Sequence, residues 1–300
     1  METQKNTSLL PLSVTIDHLG RSLFLKKKLG EGFTSEVYEG ELVVDEQPIR
    51  VAVKARKALD YIGARENFLQ EGKTLAQLME SERNANRRDG IPDLKIAPVY
   101  YGLTTYKAAE QEVDYIVMEF IDGVEIPKLL NKQHIMPEKD ALRAGWQLFR
   151  ILQLLHTDIR KVFIDLKMEN LWWVGGAEDA PGQLKVTDLG TLADIKRPAQ
   201  VEHDLLLGGI ILSTLLTGYT PRYNVYGLKE RIDPIIRSHP MTWGTRQLLR
   251  RLMHHNPKQR FDSAEDVFYE LKTLADYWAD SDTELHNTAM AYQEEASKGH

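Results

Sequence analysis

Asp165-Leu166-Lys167-Met168-Glu169-Asn170, followed by Thr187-Asp188-Leu189-Gly190, sets two carboxylates, a lysine and an amide in an order that suits metal-dependent phosphoryl transfer. One carboxylate, Asp165, can orient and deprotonate an attacking hydroxyl while Lys167 steadies the moving phosphoryl group. The amide of Asn170 and the carboxylate of Asp188 can hold Mg²⁺ against the phosphates of ATP. Taken alone, the D-x-K-x-x-N run reads equally well as a polar turn between strands. Its company along the chain decides between the two readings.

Leu29-Gly30-Glu31-Gly32-Phe33-Thr34-Ser35-Glu36-Val37 lies between two apolar-alternating stretches, Ser22–Lys28 and Glu36–Val44. Glycines one residue apart let a hairpin backbone approach phosphate oxygens without a Cβ in the way, although tight turns use glycine for conformational reasons too. Arg50-Val51-Ala52-Val53-Lys54 is a strand-like run ending in a lysine 24 residues beyond Gly30, a spacing that lets it reach the α- and β-phosphates. A cation held in one place needs a counter-ion. Phe68, Glu71, Leu75 and Leu78 share one face of a helical pattern, so Glu71 points among apolar neighbours, where an unpaired carboxylate is costly. Lys54 is its natural partner; Glu66, the competitor, lies elsewhere on the wheel.

Together these elements resemble a protein kinase of the Ser/Thr type, close to its bacterial members, over Leu23 to Ala275. Val51-Ala52-Val53-Lys54 resembles the phosphate-anchoring strand, and Tyr115 to Gly123 the strand and hinge that hold adenine. The run from Asp204 to Pro221 is similar to the buried central helix of the larger lobe, and Asn256 to Asp266 to the turn before the last helix. The resemblance implies an α+β, bilobal fold, with a small β-rich lobe carrying one regulatory helix and a larger helical lobe. It implies Asp165 and Lys167 as catalytic residues and Asn170 and Asp188 as ligands of Mg²⁺. Gly30, Gly32, Val37, Ala52, Lys54, Glu71, Met118, Glu119 and Ile121 would bind ATP. The D-L-K-x-x-N form favours Ser or Thr over Tyr as acceptor, with a protein as substrate. Two alternatives stay open: a small-molecule phosphotransferase on the related fold, and a pseudokinase that uses the fold for recognition.

Composition agrees. Charged residues at 27% and apolar residues at 42% describe an ordinary globular chain with material for real cores. The absence of cysteine removes disulfides, thiolate metal sites and a Cys nucleophile. The chain opens without the pattern of a secretion signal, and its longest apolar run, Leu205 to Leu216, is too short for a bilayer, so a cytoplasmic protein without membrane contact is expected. A net charge of −6 argues against a nucleic-acid partner. Residues 1–22 read as an N-terminal extension, 23–120 as the small lobe, 121–275 as the larger lobe and 276–300 as a polar tail. Within them, 80–90 reads as a surface loop or helix end, 140–156 as an amphipathic helix and 175–182 as a turn between strands.

The departures from the family carry information of their own. Ser35 stands where the third glycine of the loop belongs. Phe163 and Ile164 precede Asp165 where most protein kinases carry His and Arg. Phe163 can supply the packing of the missing ring, but Ile164 cannot pair with a phosphate on an activation loop. Only thirteen residues separate Gly190 from Asp204, too few for a full activation loop, a peptide shelf and an A-P-E element, which is absent. Arg260, which matches the usual partner of that glutamate, must find another partner or face solvent. Leu189 replaces a phenylalanine conservatively. Trp172 either narrows the purine pocket or turns to the core. These losses fit together: the catalytic geometry is expected to assemble without loop phosphorylation, constitutively or through an activating partner.

Overall fold

Apolar alternation between Ser22 and Lys28 and between Glu36 and Val44 builds two long strands, and their register fixes which side chains meet the core. A computed structural model describes residues 9–13, 15–58, 63–91, 93–108, 111–163, 166–175, 181–224, 227–228 and 231–280. The chain forms two compact units, Met1–Asp122 with Asp188–Gly190, and Gly123–Thr187 with Thr191–His300.

The first unit is an antiparallel sheet of six strands in the order β1-β2-β3-β4-β6-β5, with one helix. In chain order these are β1 (Thr15–His18), β2 (Arg21–Glu31), β3 (Ser35–Val44), β4 (Gln47–Arg56), α1 (Ala64–Arg88), β5 (Tyr100–Ala108) and β6 (Gln111–Glu119). One face of the sheet carries a core of Leu23, Leu25, Tyr38, Val53, Tyr115 and Val117. The other supports α1, where Gly72 permits a close approach: a Cβ there would stand 2.5 Å from Leu103 and 3.3 Å from Ile116. Arg65 at the start of α1 grips the fully buried Asp114 of β6 with a two-pronged contact at 2.8 and 3.0 Å, and Arg56 adds a third bond at 3.0 Å.

Within residues 1–22, expected to be an extension, residues 15–18 form β1 of this sheet and residues 9–13 pack against it. Leu10 and Ile16 are buried in the same core, and Ser13 N–H donates to Leu25 O at 2.8 Å. Leu19 and Gly20, both left-handed with φ of 53° and 78°, make the turn that folds β1 back on β2. Of the two readings of the polar stretch 80–90, the helix end is the one found: residues 80–88 are the last part of the 25-residue α1, in which Glu82 and Asn86 are buried. The Glu82 carboxylate accepts from Ile96 and Ala97 N–H at 2.7 and 3.1 Å, and the Asn86 amide donates to Leu94 O at 3.1 Å.

The second unit begins with β7 (Val124–Glu125), α2 (Ile126–Gln133) and α3 (Glu138–Leu154), followed by a single π-helical turn over Leu155–Ile159. Next come β8 (Lys161–Phe163), a 3-10 turn over Met168–Asn170, and the hairpin of β9 (Leu171–Val174) and β10 (Gln183–Val186). β11 (Leu192–Asp194) pairs with β8 and leads directly into α4 (Pro198–Thr217). β12 (Tyr223–Asn224), β13 (Gly227–Leu228), α5 (Asp233–Arg237), α6 (Trp243–Leu252) and α7 (Ala264–Asp280) complete it. α7 thus continues past 275, the end expected for the larger lobe. α4 is long and apolar enough to cross a membrane, and it is the core helix of this unit: every residue from Asp204 to Thr217 is buried, with α3 and α6 packed against it.

His18 ties β1 to the sheet. Its ring is fully buried beside Tyr115, Nε2 donates to Tyr101 O at 3.3 Å, and Nδ1 has no partner among the described residues. Burial holds its pKa below the ordinary 6.5, with the Tyr101 carbonyl opposing, Arg21 adding to the fall and Asp17 opposing it. Protonation would put a second N–H where nothing accepts it. Unfolded chains then bind the proton more readily than folded ones, so stability should fall as pH drops below about 6.5. Urea midpoints measured from pH 7.5 to 5 should show this loss, and His18→Gln should flatten it.

Candidate active site

Strand alternation decides where Lys54 points. Val53 and Ala55 enter the core on one face of β4, so Lys54 and Ala52 project from the other, toward α1. Lys54 lies opposite Val37 on β3 and Ile116 on β6, while Ala52 lies opposite Met118. Phe68, Leu75 and Leu78 bury their face of α1 and carry Glu71 inward with them. Lys54 Nζ donates to Glu71 Oε1 at 2.5 Å and to Asp188 Oδ1 at 3.0 Å. The side chains of Lys54 and Glu71 are each only 10% exposed, whereas Asp188 is 46% exposed. Glu66, the competing carboxylate, faces solvent.

One ammonium thus serves two carboxylates in a nearly dry setting. Burial favours the neutral amine, but Glu71 and Asp188 outweigh it and hold the Lys54 pKa above its ordinary value. Burial raises the Glu71 carboxyl, with Lys54 opposing and Asp188 adding to the rise. Asp188 occupies the left-handed region at φ 57°, a costly conformation for a residue with a Cβ. Gly190 completes the arrangement. A Cβ there would meet Glu71 Oε2 at 3.0 Å and Asp188 Oδ1 at 3.4 Å, so only a glycine leaves both carboxylates in place.

The glycine loop is the β2–β3 hairpin. Gly30 pairs with Val37 and Glu31 with Glu36, and Gly32 N–H closes the turn onto Ser35 O at 2.8 Å. A Cβ on Gly30 would meet nothing within 4 Å, and one on Gly32 only Ser35 O at 4.0 Å. The protein's own packing therefore does not require a glycine at either position. At the end of β6, Met118 and Ile121 are half-buried. Glu119 is tied at both ends to Val99: its N–H donates to Val99 O at 2.8 Å and its carboxylate accepts from Val99 N–H at 3.0 Å. Its side chain holds the backbone at this point.

In the second unit, Asp165 and Ile164 lie outside the described residues. Lys167 is half-buried just ahead of the Met168–Asn170 turn. Asn170 is 5% exposed, its main-chain carbonyl accepts from Thr187 N–H at 2.8 Å, and its side-chain nitrogen has no partner among the described residues. The segment leading to Asp165 is anchored by Asp204 of α4, which sequence reasoning placed in the core helix without giving it a task. One oxygen, Oδ2, bonds His156 Nε2 at 2.9 Å and Phe163 N–H at 3.0 Å. Burial raises the Asp204 pKa, with His156 opposing. Phe163 is buried, as packing in place of a histidine ring requires. Trp172 is half-buried on β9, opposite Lys185 and Glu125. Arg260 donates to His254 O at 2.6 Å, and Glu202 of α4 supplies the acidic charge that favours it.

Replacing Lys54 by Met should leave Glu71 buried against a second carboxylate and cost about 3–5 kcal/mol. Adding Glu71→Gln should recover most of that loss, a coupling that unfolding free energies of the two single variants and the double variant would reveal.

The family model for the protein kinase domain matches residues 24–207, more than half of the chain. Among curated relatives, CBL-interacting serine/threonine-protein kinase 9 of Arabidopsis thaliana is 30% identical over 185 residues, covering 50% of this chain and 39% of that protein. Calcium-dependent protein kinase 14 of Oryza sativa subsp. japonica is 26% identical over 254 residues, covering 70% and 46%. Serine/threonine-protein kinase PknG of Mycobacterium leprae is 28% identical over 181 residues, covering 53% and 22%. The chain spans less than half the length of these relatives. Its sheet-rich first unit with one helix, its helical second unit and this match agree: the chain belongs to the protein kinase family.

Proposed function

We propose that this chain is an ATP-dependent protein serine/threonine kinase whose active geometry forms without phosphorylation after Gly190. The observation that carries the reading is the Lys54 ammonium held between Glu71 and Asp188. A buried cation fixed by two carboxylates is a costly arrangement for stability alone, and a suitable one for gripping the α- and β-phosphates. Glycines at 30 and 32 that the protein's own packing does not call for fit a phosphate chain approaching the backbone. Ala52 and Met118, opposite each other on the Lys54 face of the sheet, with Val37 and Ile121, are suited to the purine.

Asp188 and Asn170 fit a hard divalent cation by the chemistry of their side-chain oxygens. Such an ion takes one or two protein ligands and completes its shell with phosphate oxygens and water. When bound, Mg²⁺ supplies charge neutralisation on the phosphates. Asp165 accepts the proton of the substrate hydroxyl as that oxygen bonds to the γ-phosphorus. The bond from phosphorus to the β–γ bridging oxygen breaks, and ADP leaves with the electron pair. Lys167 steadies the transferring group through its charge. The proposed substrate is a serine or threonine of another protein. The kinase names of the relatives support that choice, and the short path from Gly190 to α4 implies that a peptide is held elsewhere than on a long activation segment.

Two experiments test the reading. Gly32→Ala should leave the unfolding midpoint nearly unchanged but raise KM for ATP, whereas Asp188→Ala should lower transfer of labelled phosphate by about 10³-fold; unchanged kinetics in both would refute it. Thr191 is the only hydroxyl residue between Gly190 and Asp204, and its oxygen is buried without a partner among the described residues. Thr191→Ala should therefore retain activity, and a loss reversed by Thr191→Glu would show that loop phosphorylation is needed after all.

A further inference from the structure

The second unit carries a concentration of positive charge that phosphoryl transfer does not use. Along the sequence, residues 218–260 contain nine Lys and Arg against two acidic residues in a chain whose net charge is −6; of these, Arg250 is paired with Asp233 at 2.7 Å and Arg251 with Glu270 at 3.6 Å. Within this region lies a cavity of about 580 Å³. Leu228, Ile232 and Met253 give it apolar walls, and Arg231, Arg250 and His255 bring nitrogen to its edge. Ile232 and Met253 are buried, while Arg231 and His255 face solvent. Asp233 is the acidic residue of the lining, and Arg250 Nε holds its carboxylate at 2.7 Å.

A ridge leads to this cavity. Trp243, at the start of α6, is 69% exposed, an unusual state for the largest apolar side chain. With the Gln247 amide oxygen turned to its donors, it accepts from Trp243 Nε1 at 3.3 Å and from Arg250 Nη1 at 3.1 Å. Trp243, Gln247 and Arg250 follow one another at helical spacing, so one stripe of α6 runs from an exposed indole to the edge of the cavity, where His254 follows just beyond the helix. Exposed Trp and Arg around a pocket with apolar walls have the composition of a binding hot spot.

We infer that the Trp243–Arg250 stripe and the cavity beside it form a docking site for an acidic peptide segment carrying one apolar side chain. Charge complementarity selects the acidic segment, and the Leu228, Ile232 and Met253 walls select the apolar anchor. Its residues include none of those assigned to phosphoryl transfer, and its test needs no ATP, so it stands or falls independently of the kinase reading.

The experiment is fluorescence anisotropy on the full chain with a labelled dodecapeptide of Asp and Glu around a central Leu. The same peptide with Lys in place of the acids is the control. The acidic peptide should bind at least about tenfold tighter than the lysine peptide, and more weakly as salt rises. Arg231→Glu, a change at an exposed side chain, should weaken it by about tenfold, and Trp243→Ala should weaken it too. Equal binding of the two peptides, or unchanged binding in both variants, would overturn the proposal. So would displacement by single-stranded DNA at matched charge, which would make the patch a general polyanion surface. Binding that emerges only after removal of residues 281–300 would reassign the groove to the chain's own C-terminal segment.

Discussion

A single ammonium between two carboxylates organises the first unit. Lys54 is nearly dry, and Glu71 and Asp188 compete for it. Removing charged groups from water is expensive, so the surroundings must hold all three in place. Several unrelated features do so. Gly72 lets α1 settle onto β5 and β6, and the Arg65–Asp114 fork fixes the start of that helix. Gly190 leaves space for both carboxylates, and the backbone accepts a left-handed Asp188 to aim its side chain. Each is a local cost or constraint that makes sense only through the geometry it preserves.

The second unit solves a different problem, holding a short polar segment against a helix with no charged stem before it. Asp204, fully buried at the entry to the apolar stretch of α4, gives one oxygen to both His156 and Phe163 N–H. The backbone ahead of Asp165 is thus secured through a main-chain donor, which is indifferent to the side chain at 163 or 164. That explains how Phe163 and Ile164 can replace His and Arg without loss of the anchor. Arg260 has likewise found a backbone carbonyl and the charge of Glu202 in place of an absent glutamate. The shortened path from Gly190 to α4 is closed by β11 pairing with β8.

Much of this was legible in the sequence because the relevant signals are local. Alternation marked β2 and β3, the three-and-four spacing of Phe68, Glu71, Leu75 and Leu78 gave the inward face of α1, and burial energetics linked Glu71 to Lys54. What escaped was set by distant partners. Residues 80–90 read from their polarity as either a loop or a helix end, and the choice rests on Glu82 and Asn86, which are buried where they satisfy backbone groups near Ile96 that no local pattern reveals. Pro11 and the lack of helical period make residues 1–22 read as an extension. The Leu19-Gly20 pair ahead of an alternating strand was the turn signal available there. The resemblance names Glu119 for the nucleotide and gives no hint that its carboxylate also holds Val99 N–H, a partner twenty residues away.

Residues 9–13, ahead of β1, reach further than their number suggests. Leu9 N–H bonds both the Tyr38 hydroxyl at 2.8 Å and the Glu36 carboxylate at 3.2 Å. Glu36 also accepts from Tyr38 and from Lys28 at 2.8 Å, and Lys28 in turn bonds Glu31. Burial pushes the Glu36 carboxyl up, and these donors more than reverse it. Glu31 and Glu36 are the paired residues on either side of the glycine turn. The glycine turn is thereby braced in part from Leu9, far from it in sequence, through the Glu36 carboxylate.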